Sequence, residues 1–173
     1  MNVFITIGGN GLRMKDISPK DKHLLYYKDK RVIECILSVF PKGKIIGNKK
    51  TNNRKETLKE IEWEENCLII DCDIIPYGID SLKFEGDTII YFNSEKNKYG
   101  SLIVKNNIVE SVSENKNLSS NKCSGVYYIE SIKSLLNRMT DDNSIASGMI
   151  GAKTIKENTF IRLGDVEDYF AAL

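Results

Sequence analysis

Short apolar runs alternate with helix-like segments through the first half of this sequence. Runs rich in β-branched or aromatic residues are typical of strands buried on both faces, and they are NVFITI (2–7), KIIG (44–47), CLIID (67–71) and TIIYF (88–92). Between them, KRVIECILSVF (30–40) and NRKETLKEIEWEEN (53–66) carry apolar residues at helical spacing, the second with Leu58, Ile61 and Trp63 on one side. This order predicts an α/β fold with an open, mostly parallel, Rossmann-like sheet and helices on both faces.

The second half of the chain has a different pattern. SLIVKNNIVESVSE (101–114) predicts two short strands around an Asn106-Asn107 turn, and SGVYYI (124–129) predicts a further strand. Helices are expected in ESIKSLLNRM (130–139) and SIASGMIGA (144–152), and a last helix begins after Asp165, which can cap it. The prediction is therefore a small β-hairpin subregion added to the main sheet.

Length and charge limit the classes of function. A chain of 173 residues is expected to form one domain, over 1–173. Its 25 basic and 24 acidic side chains give a formal charge of +1, so no global field attracts nucleic acid or an anionic membrane, and an anion site must be local. The four cysteines lack metal-ligand spacing and are predicted to be reduced and structural. No segment resembles a signal peptide or a membrane span, so the expected compartment is the cytoplasm.

A glycine cluster follows the first predicted strand. Gly8, Gly9 and Gly11 would let backbone N–H groups approach phosphate oxygens, and Arg13 could add a charge-assisted contact. The spacing matches neither the P-loop nor the dinucleotide-binding pattern. A tight strand-to-helix turn would use the same glycines, so the spacing alone leaves both interpretations open. In open α/β sheets, ligands bind beyond the carboxyl ends of the strands, which is where this loop begins.

The segment GGNGLRM followed by DKHLLYYKDKRVIECIL resembles the start of the sugar-phosphate nucleotidyltransferases, whose signature is G-G-x-G-[TS]-R-[LM] and then P-K-x-L-L. Later segments are similar to the family's landmarks in the same order: CLIIDCD (67–73), KYGSLIV and NNIVESVSENK (within 98–116), CSGVYYI (123–129) and GDVEDYFAAL (164–173). Connections are trimmed, as between Gly47 and Cys67. The resemblance therefore implies a short, compact member with a GT-A-like nucleotidyltransferase fold.

The resemblance implies nucleotidyl transfer, in which a phosphate oxygen of the acceptor attacks the α-phosphorus of a nucleoside triphosphate and pyrophosphate leaves. Such a step depends on charge neutralisation and in-line positioning. Arg13 would hold the pyrophosphate, Lys22 would neutralise charge near the α-phosphate, and Asp73 would bind Mg²⁺. The residues expected to bind the nucleotide are Gly8, Gly9, Asn10, Gly11, Arg13 and Asp73.

The same family match implies a substrate site and its ligands. The residues expected to bind the acceptor are Tyr99, Gly100, Glu114, Lys116 and Gly125. CTP is the favoured nucleotide, with UTP and dTTP as alternatives. The expected acceptor is a sugar 1-phosphate or another small phosphorylated metabolite, in the synthesis of a cell-surface polysaccharide precursor. The chain is expected to act as a monomer or homodimer, without nucleic-acid or membrane partners.

The metal site is where the sequence departs from the family. Arg162 falls where the family has a second metal-binding aspartate. Three alternatives stay open: Asp71 joins Asp73, Asp165 reaches in from a shifted loop, or Arg162 takes the role of a second cation. Two other functions also stay open. The Asp71-Cys72-Asp73 segment is of the D-x-D type that related glycosyltransferases use to bind Mn²⁺ and a sugar nucleotide, and the chain could be an inactive nucleotide-binding homologue.

Overall fold

The computed structural model describes residues 1–7, 21–47 and 53–173. The strands are β1 (Asn2–Thr6), β2 (Tyr26–Tyr27), β3 (Lys30–Arg31), β4 (Lys44–Ile46), β5 (Glu65–Asp71), β6 (Ile74–Ile75), β7 (Thr88–Asn93), β8 (Ser101–Lys105), β9 (Ile108–Ser113), β10 (Asn121–Ser131), β11 (Lys153–Lys156) and β12 (Ile161–Arg162). The α-helices are α1 (Val32–Val39), α2 (Arg54–Lys59), α3 (Ile132–Arg138) and α4 (Val166–Ala172). Every strand predicted in the first half of the chain is present.

The central sheet has the strand order β4-β1-β5-β10-β7-β11-β9-β8. β1 pairs in parallel with β4 and β5, and β7 pairs in parallel with β11. Because β10 is antiparallel to both β5 and β7, those two strands run in the same direction. The four strands predicted for a parallel sheet therefore share one direction, and the mixed α/β class is confirmed.

The sheet is mixed rather than mostly parallel, which corrects the prediction. β10 lies between β5 and β7 and is antiparallel to each, and β8 and β9 form an antiparallel pair. Parallel neighbours need a long crossover connection, usually a helix, whereas antiparallel neighbours do not. In the second half, β8 and β9 are joined by a tight turn and pair antiparallel, and β10, which follows without a helix between, is antiparallel to β5, β7 and β8.

One side of the sheet closes on itself. β8 pairs with β10 through Ser101 and Lys122, in addition to its pairing with β9. The strands β10, β7, β11, β9 and β8 therefore form a closed ring, and the open arrangement predicted for the whole sheet is not confirmed. Closure removes free strand edges on this side and leaves β4 at the remaining edge.

The helices cover both faces of the open part of the sheet, as predicted. Alternate residues of β1 and β5 enter different cores: Ile5 and Leu68 pack with α1, and Phe4 and Ile69 pack with α2 and α3. All four side chains are almost fully buried. Burying an apolar side chain of this size stabilises the fold by about 1.5–3 kcal/mol, so the two-faced core holds the carboxyl ends of β1 and β5 in place.

The helix predicted over 144–152 is a short 3-10 turn, at Ile145–Gly148. Gly148 and Gly151 lower the helix propensity of this segment, and Gly151 adopts a φ of +87°, which ends helical geometry. The following strand β11 was not predicted, because four residues with a lysine at each end carry little apolar signal. Among the helices that the structure describes, none is long and apolar enough to cross a membrane.

Trp63 does not pack with Leu58 and Ile61, which corrects the prediction of a shared apolar side. α2 ends at Lys59, so the helical spacing no longer applies at Trp63. The Trp63 side chain is 76% exposed, and Lys133 Nζ lies 4.1 Å from the centre of its ring. This contact is a surface cation–π pair.

The predicted hairpin and cap are confirmed. Asn106 and Asn107 have φ values of +51° and +60°, as a tight two-residue turn between β8 and β9 requires. Asp165 caps α4 by accepting a hydrogen bond from the Asp168 backbone nitrogen at 2.9 Å. The cysteines are free and buried, and they are Cys35, Cys67, Cys72 and Cys123.

Candidate active site

Asp71 ends β5 at the carboxyl edge of the parallel strands. The register of β1 and β5 places Thr6 beside it, and Thr6 Oγ1 donates a hydrogen bond to Asp71 Oδ1 at 2.9 Å. Arg54, the first residue of α2, donates to Thr6 Oγ1 at 2.7 Å and lies 3.0 Å from Asp71 Oδ1. Burial raises the pKa of Asp71, and the charge of Arg54 opposes that shift without reversing it. Two protein groups therefore hold this carboxyl group.

Lys22 and Asp73, both predicted from the sequence, form an ion pair. Lys22 Nζ lies 2.8 Å from Asp73 Oδ2 and donates to the carbonyl oxygen of Gly164, also at 2.8 Å. Burial acts to raise the pKa of Asp73, but the charge and hydrogen bond of Lys22 outweigh it. The charges of Arg162 and Arg54 act in the same direction as Lys22, and the pKa falls to about 2. Asp73 is therefore ionised at neutral pH and paired with a cation.

Arg162 lies on the short strand beside β6, where it pairs with Ile74. The guanidinium carbon of Arg162 lies 3.8 Å from the centre of the Tyr99 ring and 4.2 Å from that of Phe92. Nη1 donates to the carbonyl oxygen of Cys123 at 3.3 Å. The buried Nε has no hydrogen-bond partner among the described residues. The guanidinium therefore lies against two aromatic rings and keeps a donor that no described residue satisfies.

α4 holds the Tyr99 ring against Arg162. The Tyr99 hydroxyl donates a hydrogen bond to the Asp168 carboxylate, and Lys98 forms an ion pair with Asp165. Burial and the hydrogen bond with Asp168 raise the pKa of Tyr99, so its hydroxyl stays protonated and keeps donating. Asp165 is used by Lys98 and by the helix cap, so the alternative in which it supplies a metal ligand is not supported.

The groups Lys22, Arg54, Asp71, Asp73 and Arg162 are named here the ion cluster. Three cations and two carboxylates give the ion cluster a net charge of +1 when all are ionised. Within the described ranges, no group of three His, Cys, Asp or Glu side chains could hold a metal ion. Each carboxylate already has a cation about 3 Å away. The donor set thus fits phosphate better than Mg²⁺, and Asp71 with Asp73 does not form a ready metal site.

The other predicted site residues are distributed unevenly. Gly8, Gly9, Asn10, Gly11 and Arg13 lie outside the described residues. A Cβ on Gly100 would lie 2.8 Å from Glu114 Oε2, so these two predicted residues are neighbours, and Ser144 Oγ donates to Glu114 Oε1 at 2.6 Å. The Lys116 side chain is exposed and makes no hydrogen bond or ion pair with the described part of the chain. Tyr99 and Gly125 lie directly against members of the ion cluster.

Sequence reasoning missed Thr6, Arg54 and Phe92. Arg54 is the first residue of α2, and an arginine at the start of a helix gives no local signal of a distant carboxylate partner. Thr6 and Phe92 lie in apolar strand segments. In such segments the sequence does not distinguish a threonine or phenylalanine that lines a site from one that only packs in the core. A register argument between β1 and β5 could have found Thr6, because Thr6 and Asp71 both end their strands.

Gly125 brings the backbone of β10 close to Asp71, and replacing it with alanine is expected to destabilise the protein. Its φ is +87°, at an irregularity in the pairing of β10 with β7, and an added Cβ would lie 2.9 Å from Asp71 Oδ2. Positive φ costs an alanine about 1–2 kcal/mol, and the contact adds to this because Asp71 is held in place. We expect Gly125→Ala to lower the free energy of unfolding in urea by about 2–3 kcal/mol.

Gly86→Ala is the matched control for Gly125→Ala. Gly86 has a φ of +75°, and an added Cβ would meet nothing within 4 Å. It should therefore show the backbone strain alone, about 1 kcal/mol. Equal losses in the two variants would show that Asp71 moves aside at no cost and is not held as described.

The fold can be compared with solved structures. A protein from Bacillus anthracis assigned as a glucose-1-phosphate thymidylyltransferase matches with a TM-score of 0.73 and 15% identity, over 99% of this chain and 93% of that one. A nucleoside-diphosphate-sugar pyrophosphorylase from Vibrio cholerae RC9 matches with a TM-score of 0.71 and 10% identity, over 100% and 99%. The chain has the fold of the sugar-phosphate nucleotidyltransferases.

A third structure of this fold matches equally well. The inositol-1-phosphate CTP transferase from T. maritima has a TM-score of 0.72 and 11% identity, over 96% of this chain and 90% of that one. At the level of sequence, no family model and no curated protein matches. The likeness therefore lies in the backbone arrangement, and the chemistry has to be argued from this chain's own residues.

Proposed function

We propose that this protein is a nucleotidyltransferase, which transfers a nucleoside monophosphate from a nucleoside triphosphate to a small phosphorylated acceptor and releases pyrophosphate. The observation that carries the proposal is the ion cluster, with its net positive charge at the carboxyl edge of the parallel strands. A local excess of cations supports binding of a polyphosphate in a chain whose overall charge is only +1. The shared fold supports the same activity.

The reaction in this proposal is a displacement at phosphorus. A phosphate oxygen of the acceptor forms a bond to the α-phosphorus, and the bond from that phosphorus to the bridging oxygen of the β-phosphate breaks. The electron pair of the broken bond stays on the departing pyrophosphate. Lys22 neutralises charge that grows during this step, and Arg13 with the Gly8–Gly11 loop holds the triphosphate. Mg²⁺ enters the proposal only as the ion that accompanies the triphosphate in solution.

The nucleotide and the acceptor are the finer part of the proposal. CTP is the favoured donor, with UTP and dTTP next. Among the structures of this fold, one is named a CTP transferase and another a thymidylyltransferase. The acceptor is a sugar 1-phosphate or another small phosphorylated metabolite, bound near Tyr99, Gly100, Glu114 and Gly125, and the product is a precursor of a cell-surface polysaccharide.

A pyrophosphate-release screen tests the proposal. CTP, UTP, dTTP, ATP and GTP are each mixed with a panel of sugar 1-phosphates, inositol phosphate and phosphocholine. We expect release with one triphosphate and one acceptor class. Arg13→Ala should abolish that release and leave the melting temperature unchanged, because an arginine that serves to bind phosphate is not expected to contribute to core packing. Unchanged activity in Arg13→Ala would contradict the assignment of the loop.

Two results would contradict the proposal itself. Consumption of a sugar nucleotide without pyrophosphate release would indicate a glycosyltransferase that uses the Asp71-Cys72-Asp73 segment. Nucleotide binding without any turnover across the panel would indicate a binding module. The ion pairs that hold both carboxylates give no support to a D-x-D metal site.

A further inference from the structure

Arg162 differs from the other cations of the ion cluster in its partners. Lys22 is paired with Asp73 and Arg54 with Asp71. Arg162 makes no ion pair with any carboxylate in the described ranges, and its one hydrogen bond, at 3.3 Å, goes to the carbonyl oxygen of Cys123. A guanidinium has five N–H donors, and a buried donor without an acceptor is costly. The part of the chain that the structure describes therefore supplies no anion for the buried Nε and the charge of Arg162.

The surroundings of Arg162 hold it rigidly. Its guanidinium carbon lies 3.8 Å from the centre of the Tyr99 ring and 4.2 Å from that of the Phe92 ring, and the two rings meet edge to face. Tyr99 is held by Asp168, and Phe92 packs on Phe160 as well. Ring faces accept no N–H hydrogen bond of ordinary strength, so the N–H donors of the guanidinium stay available for a ligand, and their planar fork suits two phosphate oxygens. A solvated surface arginine would need none of these contacts.

The position of Arg162 indicates which part of a ligand it would meet. β12 and β6 are paired at Arg162 and Ile74, and Leu163 N donates to the carbonyl oxygen of Asp73 at 2.9 Å, so Arg162 lies beside the Lys22–Asp73 pair. With Asp71 and Asp73 already neutralised, the unpaired charge at this place is positive. Such a site attracts phosphate and repels a free divalent cation.

We propose that Arg162 binds the phosphates of the nucleotide in place of a divalent cation held by the protein. The inference rests on the proposed function and adds to it which protein group neutralises the phosphate charge. In this arrangement Asp71 and Asp73 orient Arg54 and Lys22 rather than bind a metal. The protein should therefore bind phosphates without a divalent ion, and that binding should depend on Arg162.

Calorimetric titration with pyrophosphate and with CTP, each in EDTA and each with Mg²⁺, tests the inference on the whole chain. We expect wild-type protein to bind both ligands in EDTA. Arg162→Met keeps an apolar side chain of similar length against the rings and removes the charge. It should lower the affinity for both ligands in EDTA by about 10- to 100-fold, the effect of losing charge-assisted hydrogen bonds. Arg162→Lys keeps the charge without the planar fork and should lose less than Arg162→Met.

Arg138→Met is the matched control. Arg138 is the last residue of α3, lies on the surface and forms an ion pair with Asp87. This variant should bind pyrophosphate like wild type. Binding that requires Mg²⁺ in the wild type, or equal affinities of wild type and both Arg162 variants in EDTA, would overturn the inference. If metal-free binding through Arg162 is found but no triphosphate is turned over, only the proposed function fails. If turnover is found with normal binding by the Arg162 variants, only this inference fails.

Discussion

Lys22→Ala is expected to lower kcat by about 100- to 1000-fold, the range for removing one main electrostatic contributor. Lys22 Nζ is held 2.8 Å from both Asp73 Oδ2 and the Gly164 carbonyl oxygen, and its side chain is only 14% exposed. It is therefore already positioned for charge that grows along the reaction path. Because such charge is greater in the transition state than in the bound substrate, kcat should fall more than triphosphate affinity.

Two further variants sharpen this test. Lys30→Ala removes an exposed lysine of β3 and should leave kcat unchanged. The double variant Lys22→Ala with Asp73→Asn removes both members of the ion pair. Recovery of kcat in the double variant would show that the single variant fails because Asp73 is left without a cation. Equal loss of kcat and of triphosphate affinity in Lys22→Ala would limit Lys22 to ground-state binding.

Arg54→Met is expected to give the largest loss of stability, about 3 kcal/mol in the free energy of unfolding at pH 7. Arg54 lies 3.0 Å from Asp71 Oδ1 and also donates to Thr6, and the exposed fractions of the Arg54 and Asp71 side chains are 28% and 18%. Removing the guanidinium leaves a carboxylate in a buried site with one hydrogen-bond donor, Thr6. Urea unfolding followed by circular dichroism measures the effect.

The pH dependence of Arg54→Met identifies its cause. Burial already raises the pKa of Asp71, and loss of Arg54 should raise it further. A carboxyl group whose folded pKa is raised destabilises the protein above that pKa, and the penalty disappears as the pH falls to the ordinary value of 3.8. The stability deficit should therefore shrink in acid. The double variant Arg54→Met with Asp71→Asn should regain most of the lost stability at pH 7. A stability deficit of Arg54→Met that is the same in acid as at pH 7 would assign Arg54 a packing role.

Local pattern was sufficient for much of the fold. The predicted strands β1, β4, β5 and β7, the helix α1, the Asn106-Asn107 turn and the Asp165 cap all depend on residues close together in sequence, so periodicity and side-chain chemistry identify them. The two-residue strands β2, β3 and β6 are too short to show such a pattern and were not predicted. The helix predicted over 144–152 was wrong for a local reason too, since glycines outweighed the apolar spacing there. The glycine loop and Arg13 stay predictions from sequence, because they lie outside the described residues.

The sequence alone predicts that Lys22 and Asp73 belong to one candidate site, because each occupies a position in an ordered set of motifs, and the structure places them 2.8 Å apart. How the charges are paired depends on tertiary contacts. The pairing of Arg54 with Asp71 joins residues on different elements, and the stacking of Arg162 depends on rings from β7 and from the segment after it. The insertion of β10 and the closure of the ring are likewise contacts between distant segments. Such contacts form wherever the packed backbone brings side chains together, and that proximity leaves no periodic trace in the sequence.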